Sequence, residues 1–551
     1  MSKVLVLGLG ASGLAMARWF SRAGADVVAW DSRGDAPGRA VLARERPEVV
    51  LLDRPLVAAD VEGVERVLKS PGLAPHDARI APVTEEAARR GIPVEGELDC
   101  FADGLVDLAA RIGRAQTVVA ITGTNGKTTT TALAAAAIAR AGRRVEVAGN
   151  IGPTLLERLS AVLDGGPEDA LAERAPDVWV LELSSFQLHG ARRFEADAAA
   201  LLNLTEDHLD WHGGMAAYAA DKARIFGTRA VVVVNRDDPA TLAAVPSPQP
   251  TSPSGSGSGN PLPPAGEGRV RVRPGKARSV PRREIRFGTG TPERVGDFGI
   301  AVRNGMAWLV RAGGDGDEVP PATTAPVPRP RRAAAAPAAP SSLQQLMPAD
   351  ALRIRGRHNA GNALAALALG SAIGCPLGPM LRAVAEYAGE PHRVQHVAEI
   401  NGVDAFDDSK GTNVGATLAA LEGLGTERAP GRLVVLLGGD GKGQDFTPLA
   451  PALARHVRAA VTLGRDAERL EAVCASADVP FERAATLEEA VDRAFERARP
   501  GDAVLLSPAC ASLDMFRDYT HRAAVFVAAV QRRAGAAAAP VAAPATEEAT
   551  A

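Results

Sequence analysis

The stretch Ile121-Thr-Gly-Thr-Asn-Gly-Lys-Thr-Thr129 decides how this chain is read. It follows the apolar run Thr117–Thr122 and leads into an alanine-rich segment of helical character. Strand, glycine turn and helix in that order make a phosphate-binding loop. Glycines let the backbone curl until successive N–H groups face one point, and the helix N-terminus adds partial positive charge. Gly123, Thr124, Asn125, Gly126, Lys127, Thr128 and Thr129 are therefore the candidate ATP contacts. Lys127 is placed to reach the β- and γ-phosphates and the Thr128 hydroxyl to ligate Mg²⁺. The generic pattern has glycine where Ile121 stands, so the match to it is partial. Lys-Thr directly after the second glycine, between strand and helix, carries the reading.

Outward from the loop, residues 178–183 read as a buried strand with Glu182 near its carboxyl end. Ligands of parallel sheets sit outside the carboxyl ends of the strands, and a carboxylate there suits Mg²⁺ shared with phosphates. Asn203-Leu-Thr-Glu-Asp-His208 ends the next run, which makes Asp207 and His208 candidates for ligating or supporting a metal. Lys222 falls on a helical segment, Ala219-Ala-Asp-Lys-Ala-Arg-Ile-Phe226, and taken alone reads as a solvated lysine. At the N-terminus, Gly8-Leu-Gly-Ala-Ser-Gly13 follows an apolar run at 4–7, and Asp31 ends a second run at 27–30. That is a dinucleotide fingerprint, weak by itself.

Short apolar runs alternate with helical segments throughout, which predicts parallel α/β sheets. Further strands are expected at 198–204, 231–235, 433–437, 459–463 and 503–506, and a first helix at 14–22. With 551 residues and roughly 150 residues per domain, about three units are expected. They are placed at 1–94, 95–389 and 390–533, followed by a disordered tail at 534–551. Two low-complexity insertions, at about 246–268 and 320–342, interrupt the central unit. A formal net charge of −3 provides no global basic field for nucleic acid or anionic lipid. Cys100, Cys375, Cys474 and Cys510 contain no Cys-x-x-Cys pair, so neither a disulfide framework nor a zinc site is expected. No signal peptide and no membrane span of about 18 apolar residues is evident, and a reduced, cytoplasmic setting is expected.

The form Thr122-Gly-Thr-Asn-Gly-Lys-Thr-Thr129 resembles the Mur ligase and folylpolyglutamate synthase superfamily. Glu182-Leu-Ser-Ser-Phe-Gln-Leu188, Asp407-Asp-Ser-Lys-Gly-Thr-Asn413 and Ser507-Pro-Ala-Cys-Ala-Ser-Leu-Asp514 resemble the D-glutamate-adding branch of the Mur ligases, as does Val147-Ala-Gly-Asn-Ile-Gly152. The likeness spans nearly the whole chain apart from the insertions and the tail. It implies an N-terminal Rossmann-like UDP-binding domain, a central P-loop ATPase-like domain with a mostly parallel sheet, and a C-terminal Rossmann-like domain. It also implies an ATP-dependent ligase with two Mg²⁺ ions; a monomer is expected. That enzyme would join D-glutamate to UDP-N-acetylmuramoyl-L-alanine through an acyl phosphate during peptidoglycan precursor synthesis.

The same resemblance assigns individual residues. Gly10, Ser12, Gly13, Asp31, Ser32, Arg33, Ser70 and Asn150 would hold the UDP substrate. Thr128, Glu182, His208 and Lys222, the last carbamylated by CO₂, would hold the metals. His358 is implied near the active site, Asn359 and Asn362 near adenine, Arg393 at phosphate and Asp408 at ribose hydroxyls. Thr412, Lys442, Ser512 and Tyr519 would take D-glutamate, and Lys127, His208, Lys222 and Lys410 would be catalytic. Tyr519 stands where the family has Phe, and His521-Arg-Ala where it has Arg-Gly.

Three other readings compete. A folylpolyglutamate-type ligase lacks the N-terminal glycine-rich unit. An NAD-dependent oxidoreductase, resting on Gly8–Gly13 and Asp31, leaves the phosphate loop without a use. A non-catalytic nucleotide-binding protein has no need of Glu182, His208, Lys222 and Lys410 together.

Overall fold

The computed structural model describes residues 2–246, 282–314, 340–354 and 356–538. Most of the two low-complexity insertions (247–268 and 320–339) and the tail from 539 lie outside the described residues. The N-terminal strands form one parallel five-stranded sheet in the order Val50–Leu52, Asp26–Trp30, Lys3–Leu7, Val64–Lys69, Val94–Glu95. The chain moves outward in one direction from Lys3–Leu7, then returns to its other side. The glycine turn 8–13 and Ser70 both lie at that reversal, the position where α/β sheets open a ligand crevice.

The second sheet has six strands, all parallel. Their order is Glu284–Phe287, Val231–Asn235, Ala198–Leu201, Thr117–Thr122, Val178–Glu182, Val145–Gly149. Its interior strands are apolar on both faces, as burial on both sides requires. One face is covered by the helices Lys127–Arg140 and Arg357–Ala372. Both are alanine-rich, and Ala134, Ala137, Ala363 and Ala366 are fully buried, which lets the two backbones pack closely. The other face shares one apolar cluster with the N-terminal sheet. The helices Glu97–Ile112 and Leu155–Asp164 contribute to that cluster, and Phe101 meets the Trp179 ring edge-on at 5.2 Å.

The third large sheet runs Gln395–Ile400, Val403–Asp407, Ala503–Leu506, Leu433–Gly438, Val457–Leu463, Phe481–Arg483. All its pairs are parallel except the first, whose edge strand is antiparallel. The molecule is therefore α/β with mostly parallel sheets.

Three features depart from the sequence expectation. Phe298–Arg303, Met306–Gly313 and Ser342–Pro348 form a small antiparallel sheet. Its inward residues, Phe298, Leu309 and Met347, cap the apolar cluster of the central sheet, but they lie on both sides of an insertion that hides their alternation. The strand beginning at Ser342 also starts inside the expected insertion. The final helix, Tyr519–Ala538, runs past residue 534. Phe526, Ala529 and Val530 anchor it to the C-terminal sheet, with Ala534 packed against the same cluster.

Gly13 shows how tightly the first crevice is built: a Cβ there would lie 1.7 Å from the Gly8 carbonyl oxygen. Gly13→Ala is expected to cost at least the ~1–3 kcal/mol of an overpacked core site. Calorimetry should then show an earlier unfolding transition, and an unchanged transition would mean that this helix–strand approach is not constrained.

Candidate active site

Gly126 caps the helix Lys127–Arg140 in the left-handed region, φ 78°. A Cβ at Gly126 would lie 2.5 Å from Asn362 Oδ1, so only glycine lets the loop sit beside that asparagine. The loop is clamped from the neighbouring strand end. The Asn125 amide donates to Asn203 Oδ1 (2.8 Å), and Asn203 Nδ2 donates to the Asn125 carbonyl (3.1 Å). Thr124 bonds Tyr218 Oη at 3.0 Å and donates to the Thr205 carbonyl at 3.1 Å.

Lys127 Nζ donates to the carbonyls of Gly123 (2.9 Å) and Thr124 (2.8 Å). Lys222, which the sequence alone reads as solvated, is only 2% exposed. Its Nζ donates to the same Gly123 carbonyl at 2.9 Å and lies 4.7 Å above the Tyr218 ring. The helix Met215–Ala223 turns this residue inward beneath the loop. Burial lowers the Lys127 amine below the ordinary lysine range, with Glu182 and Asp207 opposing that shift. Lys222 falls well below the range, first by burial and then by repulsion from Lys127.

Glu182 is 1% exposed at the end of its strand, and its Oε1 accepts from Asn150 Nδ2 at 2.9 Å. Glu182 Oε2 and Asp207 Oδ1 are buried and receive no hydrogen bond among the described residues. Buried carboxylate oxygens without donors match a divalent cation. His208, at φ 54°, stands beside Asp207 with Nε2 at 3.5 Å from Oδ2. Burial pushes its imidazole down to about 4, which keeps it neutral and able to ligate a metal near neutral pH.

The C-terminal unit closes over this loop at three points. Arg393 Nη2 donates to Thr128 Oγ1 (2.8 Å), Asn413 Nδ2 to Asn125 Oδ1 (3.0 Å), and Lys442 Nζ lies 3.6 Å from Asp207 Oδ1. Lys410 Nζ donates to Tyr519 Oη at 2.9 Å. The Tyr519 hydroxyl is therefore already engaged. Ser512 is buried, and Thr412 follows Lys410 in a tight turn closed by a 2.8 Å bond from its amide to the Lys410 carbonyl. Buried Arg522 donates to the carbonyls of Cys510 (3.2 Å) and Ser409 (2.8 Å), tying the loop of Ser512 to the loop of Lys410.

A cavity of about 580 Å³ opens between the central and C-terminal units. His358, Asn359 and Arg393 line it, together with Phe406 and Leu424. Burial takes the His358 ring down to about 4. Asn362 lies deeper, bonded to Asn359 and to Thr130 of the phosphate-loop helix. Asp408 is not in this lining. It is 6% exposed and accepts from Ser507 Oγ at 2.6 Å, and burial pushes it up to about 7.

In the N-terminal unit, Asp31 is a hub rather than a free carboxylate. It accepts from the Leu9 amide (2.6 Å) and from the Arg33 amide (2.9 Å) and guanidinium (3.1 Å). Burial opposes its ionisation, but the Arg33 side chain and the two amides hold it below the usual carboxylate range. Gly10 begins the first helix and Ser70 is buried at the adjoining strand end, while Ser32 is exposed. The Ser12 hydroxyl turns toward Glu97. Asn150, expected at the UDP substrate, orients Glu182. Sequence reading did not single out Tyr218, Asn413 or Arg522. Tyr218 and Asn413 depend on partners 94 and 288 positions away, and Arg522 on carbonyls 12 and 113 positions away, and no local spacing encodes that.

A phosphate loop beneath a roof of cationic side chains from a further α/β unit, beside a separate glycine-rich crevice, defines an ATP-dependent ligase of three α/β units. Models of the MurD-like N-terminal domain, the Mur ligase middle domain and the Mur ligase glutamate ligase domain match residues 2–96, 121–252 and 392–510. The UDP-N-acetylmuramoylalanine--D-glutamate ligase of Albidiferax ferrireducens is 50% identical over 536 residues, covering 97% of each chain. That of Burkholderia mallei is 50% identical over 530 residues, 96% of each. Such even coverage makes these relatives nearly as long as this chain. The chain belongs to the Mur ligase family. Solved structures share the fold. The UDP-N-acetylmuramate-alanine ligase of Thermotoga maritima is 18% identical, with a TM-score of 0.52 over 97% of this chain and 99% of that one. The MurF ligase of the same organism, in complex with ADP, is 17% identical, with a TM-score of 0.52 over 92% and 96%.

Arg393 is the cation that bridges the third unit to the phosphate loop. Arg393→Ala should weaken ADP binding in calorimetry by about tenfold or more, the ~1.5–3 kcal/mol of a charged hydrogen bond. Arg393→Lys should fall between, because it keeps charge but loses the planar fork. Unchanged affinity in the alanine variant would remove Arg393 from the nucleotide site.

Proposed function

We propose that this protein is the ATP-dependent ligase that joins the amine of D-glutamate to the carboxyl group of UDP-N-acetylmuramoyl-L-alanine, in peptidoglycan precursor synthesis. The observation that carries the reading is the phosphate loop with Lys127, Lys222 and Glu182 converging on it, in a chain alignable over nearly its full length, at 50% identity, with D-glutamate ligases. A carboxylate is a poor acyl donor because its leaving group would be oxide. ATP turns that oxygen into phosphate. The substrate carboxylate attacks the γ-phosphorus and ADP leaves. The D-glutamate amine then attacks the acyl carbon, and the tetrahedral adduct expels phosphate as the amine sheds a proton.

Phosphoryl transfer needs alignment and charge neutralisation more than a covalent protein group. Lys127 and the loop amides grip the triphosphate. Arg393 covers it from the third unit, and His358 and Asn359 line the space for adenine. The glycine turn 8–13, Arg33 and Ser70 hold the UDP end of the acceptor. Lys410, Thr412, Lys442, Ser512 and Tyr519 form the donor-rich side that a dianionic amino acid requires. Thr128, Glu182 and His208, with Lys222, are the residues that would hold two Mg²⁺ ions, which supply charge neutralisation for the phosphates.

Lys222 joins that set as a carbamate. Burial and repulsion from Lys127 lower its basicity, which favours the neutral amine that CO₂ needs. The nitrogen lone pair attacks the carbon of CO₂ and a proton leaves, giving an anionic N-carboxylate. We read the protein as a cytoplasmic monomer, in keeping with its nucleotide-sugar and amino-acid substrates. Among the described residues no helix is long and apolar enough to cross a membrane.

ADP release with UDP-N-acetylmuramoyl-L-alanine, Mg²⁺ and a panel of amino acids tests this reading. D-glutamate should drive turnover, and D-aspartate, one methylene shorter, should be slower by about tenfold or more. Preference for L-alanine or a diamino acid would overturn the D-glutamate assignment.

A further inference from the structure

Beside Lys222 lies a cluster of titratable side chains that the reaction above does not use. Asp221, 6% exposed, is the preceding residue on the helix Met215–Ala223, so its side chain leaves the helix about 100° away from that of Lys222. Its Oδ2 accepts from Nδ1 of both His189 (2.9 Å) and His212 (2.8 Å), and its Oδ1 from Arg224 Nε (3.3 Å). The His212 side chain is fully buried, and its Nε2 lies 2.9 Å from Ser185 Oγ. A neutral His212 that donates Nδ1–H to Asp221 must accept at Nε2, so the Ser185 hydroxyl donates. Burial works against ionisation of Asp221, but the bonds from His189 and His212 outweigh it and hold the carboxyl well below its usual range.

Phe186 stacks on His212 with centroids 5.6 Å apart and planes 13° apart, and Trp211 meets His189 edge-on at 5.1 Å. The polar chain is thereby walled by aromatic rings. The three ligand-type atoms of His189, His212 and Asp221 lie within 4.8 Å of one another, close enough for a metal ion. Contacts of 2.8 and 2.9 Å with complementary donors and acceptors are, however, ordinary N–H···O bonds, and they satisfy both histidines without one.

We propose that Asp221 is a positioning residue for Lys222, and that the chain Ser185–His212–Asp221–His189 fixes the Lys222 amine relative to Glu182. Ser185 begins the turn three residues after Glu182, and Asp221 adjoins Lys222. One continuous set of hydrogen bonds thus joins the strand end that carries the buried carboxylate to the helix that carries the buried amine. Tyr218 fixes the same helix one turn earlier, through its bond to Thr124 of the phosphate loop. With both anchors in place the helix cannot rotate, and Lys222 Nζ stays under Gly123. The inference rests on Lys222 bearing a carbamate, since a carbamate persists only where its oxygens are held toward their ligands.

Full-length wild-type, Lys222→Ala, Asp221→Asn, His212→Asn and His212→Ala enzymes, equilibrated with ¹³C-bicarbonate, provide the test. The wild type should show a carbamate carbonyl resonance that Lys222→Ala lacks. If the wild type lacks it, the carbamate reading itself fails. With that resonance present, Asp221→Asn should weaken it and lower kcat about 10–100-fold, the usual effect of losing an outer ligand partner. KM for the nucleotide sugar should barely move, and added bicarbonate should restore part of kcat. His212→Asn keeps a donor toward Asp221 and should retain more carbamate than His212→Ala. Full carbamate and wild-type kcat in Asp221→Asn would overturn the proposal. So would equal carbamate in both His212 variants, which decide the matter if Asp221→Asn does not fold. One equivalent of a transition metal in the purified enzyme, lost in Asp221→Asn, would also overturn it.

Discussion

Two lysine amines, Lys127 and Lys222, donate to one carbonyl oxygen, that of Gly123, each at 2.9 Å. A carbonyl has two lone pairs and can accept both, but two ammonium charges so close together and away from water repel. The result is a site biased toward neutral amine at Lys222 and toward binding anions at Lys127. Glu182 and Asp207 temper that bias, and each keeps one buried oxygen without a donor. Lysine amines and carboxylate oxygens without a hydrogen-bond donor thus lie close together, with Lys442 3.6 Å from Asp207 Oδ1, as a site for anionic phosphate and cationic metal requires. The rest of the fold serves to hold this arrangement. Three parallel strand ends, 117–122, 178–182 and 198–201, bring the loop, Glu182 and Asn203 to one edge, and the helix Met215–Ala223 closes it from below.

The phosphate loop is also the meeting point of the units. Arg393, Asn413 and Lys442 reach Thr128, Asn125 and Asp207 across the interface. Each contact involves a group that phosphate or metal would also engage, so the position of the C-terminal unit and the occupancy of the loop are linked. On the other side, the N-terminal sheet and one face of the central sheet share a single apolar cluster. The 580 Å³ cavity lies on the side of the Arg393 contact, lined by His358 and Arg393 as well as by Phe406 and Leu424.

Much of this was legible in the sequence where chemistry and position coincide locally. The phosphate loop announces itself within nine residues, because the strand, the glycines, Lys127 and Thr128 are contiguous. The core strands are legible for the same reason, their apolar runs being bounded by turns. Lys222 was not legible from its own surroundings, since a lysine on an alanine-rich helix gives no sign of which face is buried; only resemblance singled it out. Asp31 carried a signal with two readings, a dinucleotide fingerprint and a UDP site, and its bonds to the Leu9 amide and Arg33 depend on the fold rather than on spacing. The antiparallel strands 298–313 and 342–348 escaped because an insertion separates the pairing partners. The His189–Asp221–His212 set escaped because it assembles from three separate segments.

The central claim is that the acceptor's carboxylate oxygen becomes part of phosphate on this loop. Its most direct test is oxygen transfer. UDP-N-acetylmuramoyl-L-alanine labelled with ¹⁸O in its terminal carboxyl group is turned over with ATP and D-glutamate, and the released phosphate is analysed by mass spectrometry. The account requires one ¹⁸O atom in each phosphate formed. Phosphate free of label, with amide product accumulating normally, would contradict it.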